Sequence, residues 1–217
     1  VYVYQYSGKE FLLQQSIIPS GTNSSLSGDN FGSSVSINGN MMIASSPGQS
    51  YDNSGQNLLS SSGASWVYIK DTTTLLWSQV QKVSEEGDVR MPGDLFGYSM
   101  DSTPNLLVIG SPYHPYTDTG ENYLAGAGAV YVWNWNPSSN SWVMSNKLTP
   151  SNRITNANFG SNIRINDTTI VVSSPNFTDG VHAMGMVTIF ELVSNNWIET
   201  GNVQPSFGSY ALSAINP

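Results

Sequence analysis

The chain has 217 residues, a formal net charge of −8 and no cysteine. Only 10% of its residues are charged, against about 25% in a typical domain, so seven basic side chains cannot build the positive stripe that a phosphate backbone demands. That excludes nucleic acid and anionic membranes as partners; the missing thiols exclude disulfides and Cys-based zinc sites, and 11% aromatic residues exclude disorder.

The first element is the strand-like run Val1-Tyr2-Val3-Tyr4. It carries no start Met, signal peptide or targeting segment, so we read a processed chain or a segment cut from a longer one. A second short run, Phe11-Leu12-Leu13 with Ile17-Ile18, follows it. No apolar run approaches the roughly 18 residues needed to span a bilayer; the longest are of the order of Leu106-Leu107-Val108-Ile109, which predicts no membrane insertion.

From residue 28 onward the chain repeats. The first unit opens with Phe31-Gly32-Ser33-Ser34-Val35-Ser36-Ile37 (run A). It turns at Asn38-Gly39-Asn40, where Asn38-Gly39 is a strong two-residue hairpin signal, and continues as Met41-Met42-Ile43-Ala44-Ser45-Ser46-Pro47 (run B). After a polar loop come Ser65-Trp66-Val67-Tyr68-Ile69 (run C) and a run around Trp77 (run D). The second unit repeats this order from Phe96-Gly97-Tyr98-Ser99-Met100 through Leu106 to Pro112, then Ala129-Val130-Tyr131-Val132-Trp133 and Trp142. The third runs from Phe159-Gly160 through Thr169 to Pro175, then Met186-Val187-Thr188-Ile189-Phe190 and Trp197. Run B is apolar nearly throughout, as a strand buried on both faces is. No window shows a helical period. Four short strands per unit, no helices and radial repetition predict an all-β fold, a β-propeller of four-stranded blades.

The expected blades are residues 28–83, 93–149 and 156–204. Residues 1–20 match runs C and D of a partial blade, and residues 205–217, with Phe207-Gly208, match run A of one. Two readings follow: a slice of a larger ring, which we favour, or a blade completed from both ends, within the chain or with a neighbouring copy.

The Phe-Gly opening, the Gly110-Ser111-Pro112 end of run B and the Gly128-Ala129-Val130-Tyr131-Val132 start of run C resemble the FG-GAP repeat, which builds the propeller of integrin α-chains. The lead-in Gly93-Asp94-Leu95-Phe96-Gly97 recurs as Gly28-Asp29-Asn30-Phe31-Gly32 and degrades to Asn156-Ala157-Asn158-Phe159-Gly160. The resemblance covers nearly the whole chain. It implies an extracellular or cell-surface adhesion or scaffold module rather than an enzyme. In integrin-type repeats calcium sits between runs A and B on a pattern like Asp-x-Asp-x-Asp-Gly. The A–B turns here hold at most one acid each, so no calcium site, and no other metal or cofactor, is carried over. For the motif residues we expect scaffold roles. Phe fills the gap between blades, Gly takes positive φ or allows close approach, and Asp29 and Asp94 cap the turn.

The B–C loops are the longest and most individual segments. Tyr51-Asp52, Tyr113-His114 with Tyr116 and Asp118, and Asp179 form a recurring set of aromatic and acid that can present itself to a glycan or protein ligand. The alternative is Asx-type turns anchored by an aromatic. His114 and His182 lack metal-ligand spacing, and there is no nucleophile elbow or phosphate-cradling glycine loop. The cluster Glu85-Glu86-Gly87-Asp88 reads as a solvated linker, with a cation site as its alternative. Three Asn-x-Ser/Thr sequons, at Asn23, Asn166 and Asn176, fall in turns or linkers and are candidate glycosylation sites. The expected function is therefore non-enzymatic binding or adhesion through propeller loops. A self-assembling subunit joined by strand pairing is the second reading, and a polysaccharide-active enzyme a distant third.

Overall fold

The computed structural model describes residues 1–85, 90–117 and 119–205. Among these there are fourteen strands and no helix. β1 (Tyr2–Tyr6) and β2 (Phe11–Ser16) form a two-stranded sheet. Three four-stranded antiparallel meanders follow. The first joins β3 (Val35–Asn38), β4 (Met41–Ser46), β5 (Ala64–Lys70) and β6 (Trp77–Val83). The second joins β7 (Ser99–Ser102), β8 (Leu106–Ser111), β9 (Ala129–Asn136) and β10 (Ser141–Leu148). The third joins β11 (Ile163–Ile165), β12 (Thr169–Ser174), β13 (Met186–Val193) and β14 (Asn196–Val203). Each of these meanders has the form of a propeller blade. The strand expected over residues 207–215 lies outside the described residues.

Turn chemistry sets the hairpins. Asn38 pairs with Met41, so the first two-residue loop is Gly39-Asn40, one position later than the sequence suggests, with Gly39 at φ 57°. In the other two blades the loops are Pro104-Asn105, closed by the Thr103 N–H to Leu106 carbonyl bond of 2.9 Å, and Asp167-Thr168, closed by Asn166 N–H to Thr169 at 3.0 Å. Two-residue connections keep successive strands in register and antiparallel.

The innermost strands lie side by side. Asp101 on β7 ties them together: Oδ1 accepts from the Ser36 hydroxyl of β3 (3.3 Å), and Oδ2 accepts from the Ile165 N–H of β11 (3.1 Å). At the outer edge, Gln15 brackets the Trp77 backbone (2.9 and 2.8 Å), and Gln81 brackets that of Trp142 with the same two distances. The same glutamine device thus joins the outer strands at two successive junctions.

Between the blades the core divides into matching layers. Each junction presses an aromatic face onto an aliphatic one. Trp66, Tyr68 and Trp77 meet Val1, Val3 and Ile17; Phe96, Tyr131, Trp133 and Trp142 meet Ile43, Val67 and Val83; Phe159, Phe190 and Trp197 meet Val108, Val130, Val132 and Leu148. The Phe of each described Phe-Gly turn sits in these layers, with ring contacts Phe31–Trp66 at 5.7 Å, Phe96–Tyr131 at 5.6 Å and Phe159–Phe190 at 6.1 Å. The following glycines take φ 92°, 90° and 94°, as expected of the motif. The turn is also stitched by parallel bridges, Gly63 to Phe96 and Gly128 to Phe159. A Cβ at Gly128 would lie 2.0 Å from the Phe159 carbonyl oxygen, so only glycine admits the approach.

Candidate ligand face

An up-and-down meander puts the start of its first strand, the end of its second, the start of its third and the end of its fourth at one end of the blade. The Phe-Gly turns, the B–C loops and the interblade linkers therefore share one face; the A–B and C–D turns occupy the other. At the centre of the first face lies a funnel of 780 Å³ whose lining includes Ser33, Ser34, Tyr98, Ser161, Asn162 and Arg164, drawn from all three blades. Tyr98 and Tyr113 stand half-exposed (45% and 47%) with rings edge to face at 6.5 Å.

The B–C loops on this face are clamped, and most of the chain's cations do the clamping. Lys82 on β6 donates to the Tyr51 and Asp52 carbonyls (2.9 and 2.7 Å) from above the Trp66 ring. Arg90 in the following linker donates to Asn57 and Ser50 (both 2.8 Å). The second blade repeats the pair: Lys147 on β10 donates to the Thr117 carbonyl (2.8 Å) over the Tyr131 ring, and Arg153 donates to Asn122 and Pro115 (2.9 and 2.8 Å). Burial, then the Arg90 charge, lowers the Lys82 amine to about 8.

Within the loops the expected acids are occupied. The Asp52 carboxylate accepts from Ser54 (2.6 Å), the Gln56 and Asn57 N–H groups and the Asn57 amide. Burial pushes its pKa up, but these bonds outweigh it and hold the group well below the usual carboxylate range. Asp179 accepts from the Val181 and His182 N–H groups (2.8 Å each), which lower its pKa in the same way. Both are Asx turns. Tyr51 is half-buried and bridges to Leu58 across its loop. Tyr116 is half-buried, 5.3 Å from the Tyr123 ring and 6.3 Å from His114. Asp118 lies outside the described residues. The structure thus gathers Tyr113 with Tyr98, a residue sequence reasoning left aside, and leaves Asp52 and Asp179 in separate turns.

His114 is fully buried, which corrects its reading as a ligand contact. Its Nδ1 lies 2.9 Å from Asp94 Oδ2 and 3.5 Å from Glu85 Oε2, and its Nε2 is 2.7 Å from the Lys147 ammonium. Glu85 is 1% exposed and accepts from the Ser111 hydroxyl at 2.7 Å, so it is no solvated linker residue; residues 86–88 of that cluster lie outside the described residues. Asp94 also caps its turn through Met91 N–H (2.8 Å), as Asp29 does through Leu26 N–H (2.7 Å). Burial pushes the Asp94 carboxyl up, the His114 hydrogen bond opposes it, and the Glu85 charge adds to it; the balance stands at about 7. For His114, burial opposes protonation while the two carboxylates favour it and prevail over burial. In the neutral ring the ammonium decides the tautomer: Nε2, 2.7 Å from that donor, accepts, so the ring proton sits on Nδ1 and points at Asp94.

One oxygen each from Glu85 and Asp94 and a His114 ring nitrogen lie within 4.8 Å of one another, a donor set that suits a divalent cation. Lys147 works against that use, because it keeps the proton on the nitrogen a cation would need. The group is a buried polar staple between the first and second blades. Its place in the repeat supports this: Gln49 donates to Asp29 (2.9 Å) at the same position one blade earlier, and Ala157 packs against Phe177 one blade later.

Of the sequons, Asn166 is exposed on the opposite face, with its side-chain Oδ1 accepting from the Thr168 and Thr169 N–H groups. The Asn23 and Asn176 amide nitrogens are engaged, donating to the Gly55 carbonyl (3.1 Å) and to Asn158 Oδ1 (2.7 Å).

The family model of the FG-GAP repeat matches residues 12–68, a span that runs from β2 to β5 and so crosses from one sheet into the next. No curated protein matches the chain.

Proposed function

We propose that this chain of FG-GAP-type blades is a non-enzymatic binding module of the cell exterior, taking a glycan on its Phe-Gly face. One observation carries the reading: clamped B–C loops share a face with a 780 Å³ funnel whose lining includes hydroxyls, amides and Arg164, beside the exposed Tyr98–Tyr113 pair. Aromatic rings offer a stacking face to sugars, and fixed hydroxyl and amide groups bond theirs. Clamping by Lys82, Arg90, Lys147 and Arg153 means that little loop entropy is lost on binding. A protein ligand on the same face is the nearest competitor.

The test is a screen of neutral oligosaccharides followed by tyrosine fluorescence, with Tyr98→Ala, Tyr113→Ala and, on the far face, Asn166→Ala. Affinity should fall at least tenfold in each tyrosine variant and stay unchanged in the third. Binding insensitive to both tyrosines defeats the proposal.

A second reading, assembly by strand pairing, is favoured by β1, which has a hydrogen-bonded strand neighbour on one side only among the described residues. An exposed strand edge is a template for another strand.

A further inference from the structure

The second blade carries an aromatic set on its Phe-Gly face that the first does not. Its Phe-Gly turn and B–C loop repeat those of the first blade at an interval of 65 residues, the spacing of Phe31 from Phe96 and of Lys82 from Lys147. At that interval Ser33 becomes Tyr98, Gly48 becomes Tyr113 and Leu58 becomes Tyr123, while Tyr51 corresponds to Tyr116. In the third blade Ser161 follows its Phe-Gly turn where Tyr98 does, and Asn176 follows its Ser-Pro where Tyr113 does. Tyr98 and Tyr113 are the half-exposed pair beside the funnel. Tyr123 is 61% exposed and stands edge to face on the half-buried Tyr116, with centroids 5.3 Å apart. Tyr116 follows Tyr113 by three residues, at most about 10 Å of chain.

The loop fixes this second pair through its backbone. Arg153 donates to the carbonyls of Pro115 and Asn122 (2.8 and 2.9 Å), the residues just before Tyr116 and Tyr123. Lys147 donates to the carbonyl of Thr117 (2.8 Å), just after Tyr116, and the Leu124 N–H donates to Pro115 (2.9 Å), closing the loop beyond Tyr123. Between the two pairs, fully buried His114 roots the chain. In the first blade the same clamps, from Lys82 to Asp52 and from Arg90 to Ser50 and Asn57, hold Leu58 at 62% exposure. The position thus points outward in both loops, and the loop closes around a leucine as well as around a tyrosine. A ring at Tyr123 supplies the fold with nothing that leucine does not; it adds a flat, exposed face.

We propose that the Tyr116–Tyr123 pair is a second stacking site for the same glycan, so that the module takes an oligosaccharide chain and not a single sugar. The inference rests on the glycan reading of the Tyr98–Tyr113 site and extends it along the B–C loop of the second blade. One sugar unit lies beside Tyr98 and Tyr113 at the funnel, and a unit further along the chain stacks on Tyr123. The separation of Tyr113 from Tyr116 is within the span of a short oligosaccharide. Exposed Glu121, two residues before Tyr123, repels an anionic chain and favours a neutral one. Both sites sit on loops whose backbones are already held, so adding the second contact costs little further ordering of the protein.

Isothermal titration with neutral gluco-, manno- and galacto-oligosaccharides, each from one to six units, tests it. In the series that binds, affinity should rise about tenfold, or 1.4 kcal/mol, once the chain is long enough to reach both pairs, and level off beyond that length. Tyr123→Leu, which copies the first blade's loop, should remove the rise, so that long members bind no better than short ones. Tyr123→Phe, which keeps the ring, should keep it. Tyr98→Ala and Tyr113→Ala should weaken short and long members alike. An affinity independent of length, or a rise that survives Tyr123→Leu, overturns the second site while the first still stands on its own tyrosines. Loss of the rise in Tyr123→Phe overturns stacking in favour of a hydrogen bond from the hydroxyl. Binding of no member of any series overturns the second site together with the glycan reading.

Discussion

His114 shows how a repeat can hide a local specialisation. Its position is held by Gln49 in the first blade and Phe177 in the third, so the site tolerates an amide, an imidazole or an apolar ring, provided the partner changes with it. His114→Gln should therefore cost less than His114→Ala, which leaves the Asp94 carboxyl buried without its imidazole partner. Urea unfolding should show a loss of about 3–5 kcal/mol for the alanine variant and less than half of that for glutamine. The pH dependence has a definite sign. Asp94 has a native pKa of about 7, above its unfolded value near 4, so its proton stabilises the native state. That contribution is complete below about pH 4 and is lost as pH rises through 7. Asp94→Asn should remove this decline in a comparison of unfolding free energy at pH 4.5 and 7.5; an unchanged slope would place the titrating group elsewhere. None of this was legible from spacing, because 20 residues separate Asp94 from His114, 29 separate Glu85 from His114, and only the B–C loop's path brings the three together.

At the scale of elements, the strands were largely readable. Runs A to D became strands in their expected order, because β-branched and aromatic residues bounded by Gly, Asn and Pro encode local extension and reversal together. The hairpin loop moved by one residue, to Gly39-Asn40, since pairing Asn38 with Met41 keeps Ser36 beside Asp101 and the Ile43 side chain in the next interblade layer. The junction between elements is more fragile than the elements themselves. Gly128→Val puts a branched side chain against the Phe159 carbonyl at positive φ. It should cost more than the 1–3 kcal/mol of a strained backbone position alone and lower the melting temperature further than the same change at exposed Gly180, where a Cβ meets nothing. Phe159→Ala should cost about 3–5 kcal/mol by emptying the layer between the second and third blades.

For the whole molecule, stability should follow nearest-neighbour logic, as in other repeat proteins. The second blade is covered on both faces, and Leu107, Val108, Ile109, Val130 and Tyr131 are fully buried. Hydrogen exchange should therefore be slowest in β8 and β9 and fastest in β1 and β2, which form a sheet of only two strands among the described residues. Equal protection across all four sheets would overturn this ordering.

Composition and motif alone determined the class of the fold, the number of complete units and the scaffold roles of Phe31, Phe96, Phe159, Asp29 and Asp94, because those follow from local periodicity and turn preference repeated in register. The low charge also became intelligible: four of the seven cations are loop clamps, facing backbone carbonyls rather than acids. Tertiary structure alone decided which loop residues meet. It buried Glu85 and His114, closed Asp52 and Asp179 into their own turns, and brought Tyr98 to Tyr113. Those outcomes depend on how neighbouring blades approach one another, and that distance is set by packing across the sheets, which spacing along a single strand does not record.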